Sequence, residues 1–172
     1  YTKDLIEHHG LDPWVQWVSI HGGIPFSEHK IARLGQTKIQ NGQQIWNNLS
    51  LSKNIKWGVW GAMNATSGVI KEKCFFLPDP WSFEEQAYPS ALNELLGLPR
   101  YVAKNYLELK TIKIIKYIFR LIKFVFKNIG TGITRKLINK FALALFTTGI
   151  NIDSLTTLFD YASCLYFIKY KK

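Results

Sequence analysis

Residues 55–65 read IKWGVWGAMNA, and residues 74–81 read CFFLPDPW. In each, a short apolar and aromatic run is stopped by loop-forming residues. Gly58 and Gly61 loosen the first. Pro78 and Pro80 end the second, because proline removes a ladder donor and restricts the residue before it. Both runs predict buried strands that open into loops. Between the opening segment and the first of these strands, NGQQIWNNL (41–49) places Ile45, Trp46 and Leu49 at helical spacing after a turn-prone start. Helices alternating with strands that end in Gly- or Pro-rich loops predict an open α/β sheet, whose ligands sit beyond the carboxyl ends of the strands. GAMNA and PDPW occupy such positions.

Further toward the start, LDPWVQWVSIHGGIPFSEH (11–29) crowds acids, bases and a hydroxyl into one stretch. Its apolar part, Trp14 to Ile20, must turn at Gly22-Gly23. Asp12, Ser19, His21, Glu28 and His29 carry the reactive groups, yet no spacing among them fixes a mechanism. Asp12 reads either as a catalytic carboxylate or as an acid capping the helix that follows. Ser19 meets a base only through the fold, and simple hydrogen bonding is its ordinary use. His21 and His29 lie eight residues apart across a Gly-Gly-Ile-Pro break, which is not the compact pair of many zinc sites. His8 and His9 are neighbours that point to different faces.

Beyond residue 99 the character changes. Residues 1–99 hold 8 Lys/Arg against 9 Asp/Glu, whereas residues 100–172 hold 14 against 3. All of the net charge of +10 therefore belongs to the second part. There Lys110, Lys113, Lys116, Arg120, Lys123 and Lys127 recur three or four residues apart, one stripe of a long helix whose other positions are Ile, Leu, Phe and Val. Gly130-Thr131-Gly132 is expected to end it, ITRKLINKFALALF makes another helix, and NIDSLTTLFDYASCLYFIKY begins a third with an Asp/Ser cap signal. The stripe reads either as a solvated face or as a surface for an anionic membrane or glycan. Nucleic acid is not expected as a partner, because these helices hold no Trp, no Gln and few Asn with which to read bases.

With 172 residues, 47% of them hydrophobic and 15% aromatic, the chain can bury a core. The apolar run Phe141 to Ile152 is short of the roughly 20 residues a spanning helix needs. Cys74 and Cys164 have no Cys or His at metal-ligand spacing and read as buried thiols of a reducing compartment. A cytoplasmic chain touching membrane only peripherally is expected.

The order of these features resembles the alkaline phosphatase-like superfamily, which includes type I phosphodiesterases, nucleotide pyrophosphatases and sulfatases. The resemblance is carried by Asp12-Pro13-Trp14, Gln16-Trp17-Val18, His21-Gly22-Gly23 and Glu28-His29, and continues through RLGQT, QIWNNL, GAMNA and FFLPDPW. Within it, the closer resemblance is to a poorly characterised bacterial branch with a Lys-rich helical insertion. It implies a doubly wound α/β fold, present in part over residues 1–99, with residues 100–172 as a basic all-helical insertion or cap.

It also implies a metal-dependent hydrolase or transferase of phosphate or sulfate esters, including those of cell-surface polysaccharide, with a divalent ion of the zinc or manganese type. Asp12, His21 and His29 are the candidate catalytic residues. Departures from the pattern are plain. Counting back about nine residues from the Gly22 position, where the superfamily has its nucleophile, reaches Pro13, with Asp12 as its polar neighbour. Gly22 stands in place of a Thr, and Lys30 follows His29 where many members have Gly. The family's metal ligands lie partly before and partly after such a segment, so the chain reads as an internal or truncated piece. Two functions from different classes follow: a fragment of an ester hydrolase, or a non-catalytic relative whose basic helices bind an anionic glycan or membrane surface.

Overall fold

The structure is a computed structural model that describes residues 12–37, 44–49, 57–68, 74–149 and 151–170. The chain divides into two compact units, Tyr1–Asn93 and Glu94–Lys172. Ile55, Lys56 and the pair His8-His9 lie outside the described residues.

In the N-terminal unit the opening apolar segment is a helix, α1 (Pro13–Gly22). Pro13 fits its first turn, where no amide donor is lost. The Asp12 carbonyl accepts the amides of Val15 and Gln16 at 3.0 and 3.2 Å. Gly23 ends the helix at φ 67°, a conformation glycine adopts without strain, and its amide donates to the Ser19 carbonyl. A single turn, α2 (Phe26–His29), packs against α1. Next, α3 (Ile45–Leu49) packs against β1 (Trp57–Trp60), which pairs in parallel with β2 (Cys74–Leu77), Val59 opposite Phe76. Phe75, Phe76 and Leu77 are all buried. Trp46, Val59, Ala65 and Phe76 form a core cluster bordered by Trp57, Ala62 and Tyr88.

The doubly wound α/β sheet expected for residues 1–99 is not seen, and that expectation is corrected here. Among the described residues the chain is mostly helical, and the sheet has two strands. The two strand-to-loop segments do form parallel strands, but each is four residues long. The far side of β2 is taken by a single antiparallel bridge in which Phe76 and Tyr88 exchange backbone hydrogen bonds of 2.8 Å. The apolar segments that form α1 and α2 satisfy their backbone groups internally, as helices.

The C-terminal unit is built from α4 (Asn93–Asn105), which begins at the boundary, then α5 (Thr111–Asn128), α6 (Thr131–Thr148) and α7 (Ile152–Tyr170). Pro99 lies buried inside α4. The last three helices pack pairwise. On α5 the buried residues Ile114, Ile118, Leu121, Phe124 and Val125 form one face by 3.6-residue periodicity. Phe124 meets the Tyr166 ring at 5.5 Å. Gly130 follows α5, but Gly132 is inside α6. The cap of α7 is Asn151, whose Oδ1 accepts the Ser154 amide at 2.7 Å, rather than the Asp/Ser pair expected from sequence. Among the described residues no helix is long and apolar enough to cross a membrane.

Phe124 is fully buried, whereas Phe119, on the same helix, is 67% exposed. Phe124→Ala should therefore cost about 3–5 kcal/mol, and Phe119→Ala less than about 0.5 kcal/mol. Denaturant unfolding of the two variants checks this contrast.

Candidate functional site

The loops following the two strands meet at a buried polar hub. Asn64, after β1, is completely buried and takes φ 54°, a left-handed conformation that asparagine tolerates better than most residues. Its amide donates to Asp79 Oδ2 at 3.3 Å, tying GAMNA to PDPW. Its side chain reaches a third loop: Oδ1 accepts the Gly35 amide at 2.7 Å, and Nδ2 donates to the Arg33 carbonyl at 3.0 Å. Gln44 completes the hub, donating from Nε2 to the Asn64 carbonyl and accepting the Thr66 amide at Oε1.

Asp79 is equally committed. Oδ1 accepts the Trp81 amide at 2.8 Å, and Oδ2 also accepts the Ser82 hydroxyl. With its carboxylate turned to these donors, Asp79 fixes the backbone from which the Trp81 side chain projects. Gly35, at φ 82°, lies so close that a Cβ there would stand 2.3 Å from the Trp81 carbonyl oxygen. Only glycine lets the two loops approach this far.

Between these loops lies an open cavity of about 500 Å³, lined by Arg33, Leu34, Gly35, Gln36, Trp81, Phe83 and Glu84. Part of its lining, Trp81, Phe83 and Glu84, comes from the loop that follows β2, and its volume is ordinary for a small-ligand site. The Trp81 indole is 40% exposed, and its ring meets Phe83 edge-on at 6.4 Å. The cavity thus combines an aromatic wall, a guanidinium, an amide and a carboxylate.

The histidines expected to do chemistry are placed differently. Ser19 and His29 do come together, with Oγ and Nε2 3.1 Å apart. The Ile31 amide, however, donates to His29 Nδ1 at 3.0 Å. A neutral imidazole whose Nδ1 accepts must carry its proton on Nε2, so His29 donates to Ser19 rather than receiving its proton. That polarity is opposite to the one a nucleophile–base pair requires. The ring is fully buried and edge-on to Phe26 at 5.5 Å.

His21, in the last turn of α1, donates from Nε2 to the Met63 carbonyl at 3.1 Å and lies 4.9 Å from the Trp46 ring. Its Nδ1 is buried, with no hydrogen-bond partner among the described residues. Burial pushes the imidazole below its ordinary 6.5, opposed by the Met63 carbonyl, which favours the charged form. Asp12 stands at the start of α1, where its side chain makes no cap hydrogen bond and its backbone carbonyl does the work.

These three residues do not fit a divalent ion. Both His29 nitrogens and the His21 Nε2 are engaged by protein partners. Asp12 faces the positive end of a helix dipole, a poor place for a cation. Among the described residues no group of three or more His, Cys, Asp or Glu could hold a metal.

The residues that build the cleft, Arg33, Asn64, Asp79 and Trp81, were legible only as members of loops. The one signal that marks Asn64 from sequence is a polar, left-handed-tolerant residue three positions after the strand-ending Gly61. Comparison with known protein families, curated proteins and solved structures finds no match.

Two outcomes follow. Asn64→Ala removes the side-chain partner of the part-buried Gly35 amide and Arg33 carbonyl and should cost about 1–3 kcal/mol, read by urea unfolding. For His21, the folded-state value lies below 6.5, so the unfolded chain binds more protons in the window between them. Its contribution to stability is complete above pH 6.5 and is lost as pH falls from there toward the depressed value. Thermal melts should show that loss in the wild type and a flatter pH profile in His21→Gln, whose amide still donates to Met63 without titrating.

Proposed function

We propose that the N-terminal unit recognises a saccharide bearing an anionic ester, with the sugar ring on the Trp81 wall and the phosphate or sulfate group at Arg33. The observation that carries this reading is the half-exposed Trp81 indole, held by Asp79 in the same cavity as Arg33. An indole offers a flat apolar face to the C–H side of a sugar ring, and its edge is polar. A guanidinium presents forked donors that match phosphate or sulfate oxygens. Gln36 and Glu84 supply a mixed donor and acceptor rim suited to hydroxyl groups.

The reading is of binding. The Ser19–His29 pair has the polarity of a structural hydrogen bond, and neither histidine supports a step of ester cleavage in the arrangement described. The resemblance of the sequence to hydrolases of phosphate and sulfate esters agrees with the class of ligand.

Calorimetric titration with phosphorylated, sulfated and unmodified oligosaccharides tests the proposal. Trp81→Ala should weaken binding of all of them by roughly tenfold or more, and Arg33→Ala should remove the preference for the ester-bearing forms. Unchanged affinity in Trp81→Ala would place recognition elsewhere.

A further inference from the structure

We infer that the exposed side of α5 lies on the surface of an anionic lipid bilayer, with its apolar stripe among the acyl chains and its cationic stripe at the phosphates. This is independent of the cleft in the N-terminal unit.

The inference starts from three stripes on one helix. Packing within the C-terminal unit buries Ile114, Ile118, Leu121 and Val125. A second apolar set stays outside: Ile112 is 75% exposed, Ile115 39%, Phe119 67% and Phe126 57%. Their intervals of three, four and seven residues put them on one line along the helix. Lys113, Lys116, Arg120, Lys123 and Lys127 form the third line, all exposed. Four of these five directly follow an exposed apolar residue or stand one position after it in the same turn, so the cationic line runs about 100° around from the apolar one. No Asp or Glu occurs between Thr111 and Asn128 to neutralise it.

The cations are not equivalent. Lys113 leans over the Tyr101 ring at 5.8 Å, and Arg120 over the Tyr117 ring at 5.6 Å, both within their own unit. Lys116, Lys123 and Lys127 remain on the side nearer the apolar line. Long lysine stems let the ammonium reach the phosphate level while the helix sinks. Packing of the opposite face holds this arrangement in place without a partner.

Charge selects the occupant. A second copy applied to this face brings one row of five cations against another. A soluble polyanion satisfies the lysines but leaves Ile112, Phe119 and Phe126 in water. An anionic bilayer answers both lines at once, as interfacial helices do. The helix is not long and apolar enough to cross the bilayer, so it lies along it.

The test uses the 172-residue chain in co-sedimentation with phosphatidylcholine vesicles and with vesicles containing about one third phosphatidylglycerol. The expected result is binding roughly tenfold or more stronger to the anionic vesicles, weakening as salt rises. A Lys116→Gln, Lys123→Gln double variant should lose roughly tenfold of that affinity. Phe119→Ser should also weaken it several-fold, with unchanged circular dichroism and melting temperature showing that the fold is kept. The inference is overturned by equal binding to both vesicle types, by binding to neither, or by Phe119→Ser binding like the wild type. It is also overturned if vesicles are ignored while Phe119→Ser dissolves a concentration-dependent dimer, or while dextran sulfate binds both forms alike.

Discussion

The geometry of the N-terminal cleft depends on the buried contact between Asn64 and Asp79. A fully buried amide side chain and a nearly buried carboxylate are costly unless their polar atoms find partners. Here they find them in the backbones of three loops. The cost of burial therefore works as a constraint: the loops can leave this arrangement only by exposing these groups or breaking their hydrogen bonds. Asn64 at positive φ and Gly35 pressed against the Trp81 carbonyl are the local conformations that this constraint selects. The loop wall around the cavity gains its rigidity from this hub of hydrogen bonds.

Much of the local structure was legible. Helical spacing in IWNNL and in the Lys-rich segment, and the apolar runs before Gly61 and Pro78, correspond to α3, α5, β1 and β2. What sequence pattern did not carry was the number of strands. A four-residue apolar run has the same appearance in a two-stranded sheet as in a wide one, because the pattern reports burial and not how many neighbours a strand has. The opening segment has the complementary ambiguity. Trp14 to Ile20 is apolar enough for either element, and Pro13 and Gly23, which suit the ends of a helix, decide it. The end of the chain shows how local the remaining errors are: Asn151 and Asp153 are both capping residue types two positions apart, and the side-chain contact to Ser154 chooses the first.

The candidate site divided along a different line. Residue types marked as reactive turned out to be governed by their second contacts. His29 and Ser19 are within hydrogen-bonding distance, as a catalytic reading of the sequence would want. Yet the Ile31 amide, two residues along the chain, sets the tautomer and with it the direction of the bond. No spacing rule includes that amide, because every residue but proline has one. His21 shows the converse: one nitrogen is satisfied, the other is buried and unpartnered among the described residues, and desolvation rather than any charged neighbour determines its protonation.

The basic segment makes the same point about charge. Counting Lys and Arg cannot separate a solvated stripe from a docking surface, because both have the same periodicity. The distinction lies in the residues beside the cations. On α5 the buried apolar line is the one that ordinary amphipathicity requires, and Ile112, Phe119 and Phe126 form another that packing within the unit does not use. Scattered exposed apolar residues are normal, but a line of them sharing one helix with an uncompensated cationic line is not explained by solvation alone. The exposed apolar line, rather than the net charge, is the observation on which the proposed lipid-facing side of this helix rests.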